Sequence, residues 1–135
     1  MTTDSQPSKE VDLVVVGSGT GLLSAITAAE LGLRVLVVEK SEYLGGSTAM
    51  SGGGFWIPDN PILRELGVRD SRERALAYLD ALVGDTAPRE RRLAHLEHGP
   101  KAIEVLRRNL PNRWLHMVEY ADYFPEVDGG SAYGR

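Results

Sequence analysis

Two glycine-rich clusters and one carboxylate are the groups in this sequence whose types and spacing suit chemistry. Gly17-Ser18-Gly19-Thr20-Gly21 offers main-chain N–H groups with few Cβ atoms in the way, a cradle suited to a pyrophosphate. Glu39 follows at close to the spacing of about twenty residues at which an acid accepts bonds from both ribose hydroxyls of a dinucleotide. Its charge repels a 2′-phosphate and so argues against a 2′-phosphorylated cofactor. The second cluster runs Gly45-Gly46-Ser47-Thr48-Ala49-Met50-Ser51-Gly52-Gly53-Gly54 and closes on Phe55-Trp56-Ile57. Bare backbone there can lie against a flat or anionic ligand, with Ser and Thr hydroxyls as added donors. A flexible Gly/Ser linker is the competing reading, and Met50 and the closing aromatics speak against it.

Those groups need a scaffold that holds them. Val11 to Val16 is a short β-branched run, the pattern of a strand buried on both faces. Leu22 to Leu31 reads as an Ala- and Leu-rich helix, with Gly32 placed for its C-terminal cap. Val35 to Val38 is a second buried strand ending at Glu39. Strand, glycine turn, helix, strand and acid make the βαβ unit that binds a dinucleotide.

One departure stands out. The pattern G-x-G-x-x-G asks for glycine at position 22, where this chain has Leu22, and Gly21 lies one place early. Since the third glycine permits close helix–strand packing, Leu22 implies a displaced helix or one started differently. An ordinary βα turn without ligand is the alternative, but strands, helix and acid are all in place. A Walker A loop is excluded, because no Lys-Ser/Thr follows at the required spacing.

The 135 residues suffice for one domain with a core, and 42% hydrophobic with 25% charged residues is the balance of a globular protein. A net charge of -4 gives no support for nucleic-acid or anionic-membrane binding. Cysteine is absent, so disulfides, thiolate catalysis and Cys-ligated metals drop out. Met1 to Glu10 is polar and lacks the features of a signal or transit peptide, and it reads as a disordered lead-in. No apolar run approaches a membrane span, and the cytoplasm is the expected compartment.

Beyond residue 58 the chain changes character. Asp59 to Gly67 reads as a loop with a short helical turn. Ser71 to Val83 has an N-cap in Ser71 and apolar residues at Leu76, Leu79 and Val83. A second helix is expected to follow Asp85-Thr86-Ala87-Pro88 and run to about His98, with Gly99-Pro100 as a break, and a third over Lys101 to Asn109. Together these three resemble an inserted helical cap. His95 and His98 sit three apart, but without a third ligand nearby they do not make a metal site. The tail carries Trp114, Tyr120, Tyr123, Phe124 and Tyr133. It either packs over the core as a hairpin or extended segment, or lines an apolar substrate pocket.

The stretches VVVGSGTG, VVVEKSEYLGGSTAMSGGGFWIP, ALAYLDALVGD and ADYFPE resemble the N-terminal part of 3-ketosteroid 1-dehydrogenases, within the fumarate-reductase-like FAD flavoproteins. The first stretch is generic for dinucleotide folds, whereas Glu-Lys followed by Gly-Gly-Ser-Thr and Ser-Gly-Gly-Gly is the flavoprotein pattern. The resemblance implies FAD as cofactor, with Gly17, Gly19 and Gly21 at the pyrophosphate and Glu39 at the adenosine ribose. Ser47, Thr48 and the Gly52, Gly53 and Gly54 backbone would line the flavin end, and Ser18, Lys40, Gly46 and Ser51 join them as cofactor contacts. It further implies removal of hydrogen from C1 and C2 of a 3-ketosteroid A-ring. A tyrosinate-like base takes the C2 proton, hydride passes from C1 to the flavin, and an external acceptor takes the electrons. Tyr120 is the expected supporting catalytic tyrosine.

The fold class expected is α/β, an incomplete Rossmann-like βαβ unit followed by a short helical segment. Its parts are a tail (1–10), the FAD-binding βαβ unit with its glycine-rich flavin loop (11–58), a helical insertion (59–110) and an aromatic-rich start of the substrate side (111–135). A dinucleotide fold needs at least βαβαβ, and a lone parallel pair leaves its edges unpaired, so the chain reads as part of an enzyme, inactive alone. A reductase of the fumarate reductase type and a non-catalytic FAD-binding remnant are the alternatives.

Overall fold

A computed structural model describes residues 10–135; the expected N-terminal tail lies almost wholly outside them. Among the described residues the chain is a mixture of helices and one small parallel sheet, in two compact units, one ending at Gly53 and the other Gly54–Arg135. No helix among the described residues is long and apolar enough to cross a membrane.

In the first unit, β1 (Leu13–Val16) pairs in parallel with β2 (Val35–Val38), Leu13 opposite Val35 and Val16 opposite Val38. Helix α1 (Gly21–Glu30) crosses between them and begins one residue before the expected Leu22. Asp12 sets the register: its carboxylate accepts from Arg34 N at 2.8 Å, Nε at 3.1 Å and Nη2 at 3.0 Å, while Asp12 N–H donates to Arg34 O at 2.9 Å. Gly32 and Leu33 donate back to Ala29 and Ala28, a Schellman closure of α1.

The strands are not buried on both faces as the β-branched runs imply. Alternation puts Leu13, Val15, Val35 and Val37 on the face that α1 covers. Val14, Val16, Leu36 and Val38 lie on the other and stay 49%, 83%, 45% and 39% exposed. An all-apolar strand marks burial on two sides only where layers exist on two sides, and among the described residues of this unit one helix supplies a single layer. A four-residue helix, α2 (Gly46–Ala49), follows within the second glycine cluster, where irregular loop was expected.

In the second unit, α3 (Pro61–Glu65) starts at Asn60, whose side chain accepts from Ile62 N and Leu63 N. Helix α4 (Arg72–Val83) is capped by Ser71, as its sequence foretells, and buries Ala75 and Tyr78 most deeply. A 3-10 turn (Gly84–Thr86) leads into α5 (Arg89–Asn109).

Helix α5 corrects the expected break at Gly99-Pro100, because it runs through both residues. Pro100 removes one backbone bond, a loss of about 3 kcal/mol in an isolated helix interior. Packing offsets it: Leu96, Ile103 and Leu106 keep one buried stripe across the proline. A Cβ on Gly99 would stand 3.0 Å from Ile57 Cγ2, so glycine lets α5 lie against that side chain.

The tail from Leu110 to Arg135 forms neither a hairpin nor a strand. It is tied down by buried charge. Asp122 accepts from Trp56 Nε1 at 2.7 Å, Ser131 N at 2.9 Å and Arg135 Nη2 at 2.7 Å. Arg135 Nη1 reaches Asp70 at 3.1 Å, and the guanidinium lies 5.3 Å from the ring centres of both Trp56 and Tyr78. His95 stacks on Trp56 at 5.9 Å between ring centres.

Candidate cofactor site

The first turn is built as its residue types require. Gly17 has φ +91°, a left-handed conformation that an L side chain rarely adopts, and it donates to Val38 O at 2.7 Å. Gly21 resolves the departure at position 22. A Cβ on Gly21 would stand 2.8 Å from Val15 Cγ1, so this residue performs the close helix–strand packing that the motif assigns to its third glycine. Helix α1 simply starts one place early, and Leu22 points partly into solvent.

The N-terminus of α1 is electrostatically open. Thr20 gives no side-chain cap, and the first turn has no acidic residue. Leu22 N and Leu23 N make tight bonds to Gly19 O and Thr20 O, both at 3.2 Å. The helix dipole thus favours an external anion at this end, as a pyrophosphate requires.

Glu39 stands at the end of β2 and faces the turn. Its Oε2 accepts from Ser18 N at 2.9 Å and from Ser18 Oγ at 2.6 Å, while Oε1 accepts from Ser41 N at 3.0 Å. The Ser18 hydroxyl is the largest cause holding its pKa down at about 2, followed by the Ser41 and Ser18 amides. The acid is therefore a carboxylate throughout the physiological range. A carboxylate has about four acceptor positions. Three hydrogen bonds are in place, and the exposed side of the carboxylate keeps acceptor capacity for a further donor.

The second cluster meets the first through its leading residues. Gly45 N–H donates to Ser18 Oγ at 2.8 Å, and a Cβ on Gly19 would be 3.6 Å from both Gly45 O and Thr48 Oγ1. Gly17, Ser18, Gly19, Gly21, Glu39, Gly46 and Thr48 are thus brought together. Lys40, Ser47 and Ser51 are exposed, with Ser51 Oγ bonding Thr48 O at 2.8 Å and accepting from Gly53 N at 3.1 Å. Gly52 and Gly53 present open backbone, while Gly54 opens the second unit. Motif spacing does not mark Ser41 or Gly45, whose amides complete this network. The Gly-Gly pair at 45–46 is the signal that points to the latter.

Tyr120 belongs to the second unit and is half exposed. A hydrogen bond to Tyr123 and that residue's charge push its phenol up, the direction opposite to what a tyrosinate base needs.

Comparison with known proteins places this geometry in a class. Residues 12–132 match the FAD binding domain family, and the chain belongs to it; its cofactor is FAD. Within that class, the chain is 45% identical to a 3-oxosteroid 1-dehydrogenase of Mycolicibacterium smegmatis over 94% of its own length. It covers 22% of that relative, about a fifth. A solved 3-ketosteroid delta1-dehydrogenase from Sterolibacterium denitrificans, in complex with 1,4-androstadiene-3,17-dione, superposes with a TM-score of 0.84 at 40% identity. That match covers 93% of this chain and 22% of the other. A 3-ketosteroid-delta4-(5alpha)-dehydrogenase from Rhodococcus jostii RHA1 follows with a TM-score of 0.71 at 26% identity, over 98% of this chain and 32% of its own.

Proposed function

We propose that this chain is the FAD-holding part of a flavin-dependent dehydrogenase that acts on the C1–C2 bond of 3-ketosteroids. The observation that carries the reading is the 45% identity to a 3-oxosteroid 1-dehydrogenase over 94% of the chain. Residues 11–58 serve as a Rossmann-like βαβ unit with its flavin loop, 59–110 as a helical insertion, and 111–135 as the start of the substrate side. Gly17, Gly19 and Gly21 free the backbone for the pyrophosphate, and Glu39 takes one adenosine ribose hydroxyl. Gly46, Ser47, Thr48, Ser51, Gly52, Gly53 and Gly54 face the flavin end, with Lys40 beside the ribose.

Bound FAD supplies the two-electron chemistry, and an external acceptor in the cytoplasm removes the electrons. Tyr120 serves in a supporting place near the steroid, because its raised phenol suits a hydrogen-bond donor better than a base. The solved delta1 and delta4-(5alpha) enzymes both align with almost the whole chain, so this region serves either bond position. The C1–C2 choice rests on the higher identity, 40% against 26%.

The test is FAD titration of the protein and of Glu39→Ala. Losing one charge-assisted bond, about 1.5–3 kcal/mol, weakens FAD by roughly tenfold to a hundredfold. Unchanged affinity removes the ribose role. Turnover is measured in a chimera in which this chain replaces the matched part of the Mycolicibacterium relative. Steroid-dependent reduction of an artificial acceptor supports the assignment, and a flavin-loaded chimera without turnover removes it.

A further inference from the structure

The Ser18 side chain is fully buried, and both hydrogen-bonding roles of its hydroxyl are used inside the protein. It donates to Glu39 Oε2 at 2.6 Å and accepts from Gly45 N at 2.8 Å. Three chain segments therefore meet on one oxygen: the β1–α1 turn, the end of β2 and the start of the second glycine cluster. A hydroxyl so committed has no proton to offer a phosphate, although its residue type and place in the motif are those of a phosphate donor.

We propose that Ser18 is a positioning residue, a latch that fixes Glu39 and the Gly45–Gly46 backbone in their FAD-receiving arrangement before the cofactor arrives. This deepens the FAD reading above and rests on it. The physical gain is pre-organisation. Without the latch, Glu39 keeps only amide bonds and its side chain regains rotamer freedom, which FAD binding must then remove. The Gly45 amide likewise loses its acceptor, and two consecutive glycines are the part of the loop with most freedom to move. A competitor would act with the opposite sign: a hydroxyl that only occupied acceptor capacity of Glu39 would, on removal, free a place for a ribose hydroxyl and tighten FAD. Affinity thus decides between latch and competitor by its direction.

The groups acting on Glu39 are the Ser18 hydroxyl, the Ser18, Ser41 and Lys40 amides and partial burial, so a Ser18 variant has a defined spectroscopic signature. Carbon-detected NMR follows the Glu39 carboxyl through acid titration in the FAD-free protein and in Ser18→Ala. The latch gives a midpoint near the low value in the wild type and a rise toward the ordinary range in the variant, with faster exchange of the Gly45 amide. FAD affinity falls about tenfold in Ser18→Ala. It falls by less than about tenfold when Ser18→Ala is added to Glu39→Ala, since the hydroxyl acts partly through that acid and partly through Gly45. A wild-type Glu39 midpoint near 4.5 overturns the latch, whether or not the variant folds. So does FAD affinity that is unchanged or tighter in Ser18→Ala. A wild-type protein that binds no FAD overturns the cofactor reading instead, and the Glu39 titration still decides whether Ser18 holds the two segments together.

Discussion

The two units of this protein handle charge in opposite ways. In the first, Glu39 is partly exposed and is held ionised by neutral donors, the Ser18 hydroxyl and the Ser18 and Ser41 amides. In the second, Asp70, Asp122 and Arg135 are withdrawn from water together, with side chains 4%, 1% and 1% exposed. Neutral donors leave a carboxylate able to take a further partner, so they suit a site. Opposite charges buried together satisfy one another and fix a tail that lacks regular structure. The core residues divide the same way. The first unit buries small groups, Val15, Ser18, Ala25 and Ala28, whereas the second buries Leu63, Tyr78, Leu96, Ile103 and Leu106.

The strongest way to break this comparison is Arg135→Ala. It strands two buried carboxylates, and the expected loss of stability is about 3–5 kcal/mol. Urea unfolding monitored by tryptophan fluorescence reads it, because Trp56 lies against the guanidinium. A loss below about 1 kcal/mol would make the cluster incidental.

Next in size is Gly21→Ala. The added methyl meets Val15 at 2.8 Å, and overpacking of this kind costs about 1–3 kcal/mol. Val15→Ala in the same chain recovers part of that overpacking, as a double-mutant cycle would show. Additive effects would place the methyl elsewhere.

A third prediction sharpens the contrast through pH. Glu39 has its folded pKa lowered from 4.5 to about 2, so its stabilisation is complete above the higher value and fades as pH falls through the lower. Acid unfolding of the wild type therefore gains a Glu39 component between those limits, which Glu39→Gln removes. Identical acid profiles would show that neutral donors do not hold the charge.

The smallest effect belongs to Asp12→Asn. Asp12 is held below the usual carboxylate range by Arg34, but the pair is solvent-exposed and screened. The melting temperature is expected to move by less than for the other variants, and its dependence on salt to fall slightly, since the exposed Arg64–Asp59 and Arg107–Glu65 pairs remain.

Strands β1 and β2 and helix α1 were legible because each reports itself locally, whereas the four-residue α2 was not. β-branched runs, an Ala- and Leu-rich helix and Gly32 mark their boundaries to within two residues, the first strand starting at Leu13 and not at Val11. The motif rule misassigned the packing glycine, since only contact with Val15 reveals that Gly21 takes that place. Pro100 misled for a related reason: its cost is local, while the Leu96, Ile103 and Ile57 contacts that offset it are not. Arg135 was invisible, because it meets Asp70 across a separation of 65 residues and no periodicity links them. Spacing found Glu39 but not the three donors that already occupy it.

The bonds around Arg135 also decide how this protein tolerates changes of length. Ile57 N–H donates to Arg135 O at 3.2 Å, and Trp56 bonds Asp122 across 66 residues, so the second unit is a long loop fastened at its base. The entropy of closing such a loop grows only logarithmically, about 0.6 kcal/mol for each doubling. A few residues added at the exposed Gly84–Thr86 turn therefore change that closure term by a small fraction of this amount. Insertions and deletions accumulate most readily at such a turn, while the fastened residues at either end of the loop keep their spacing.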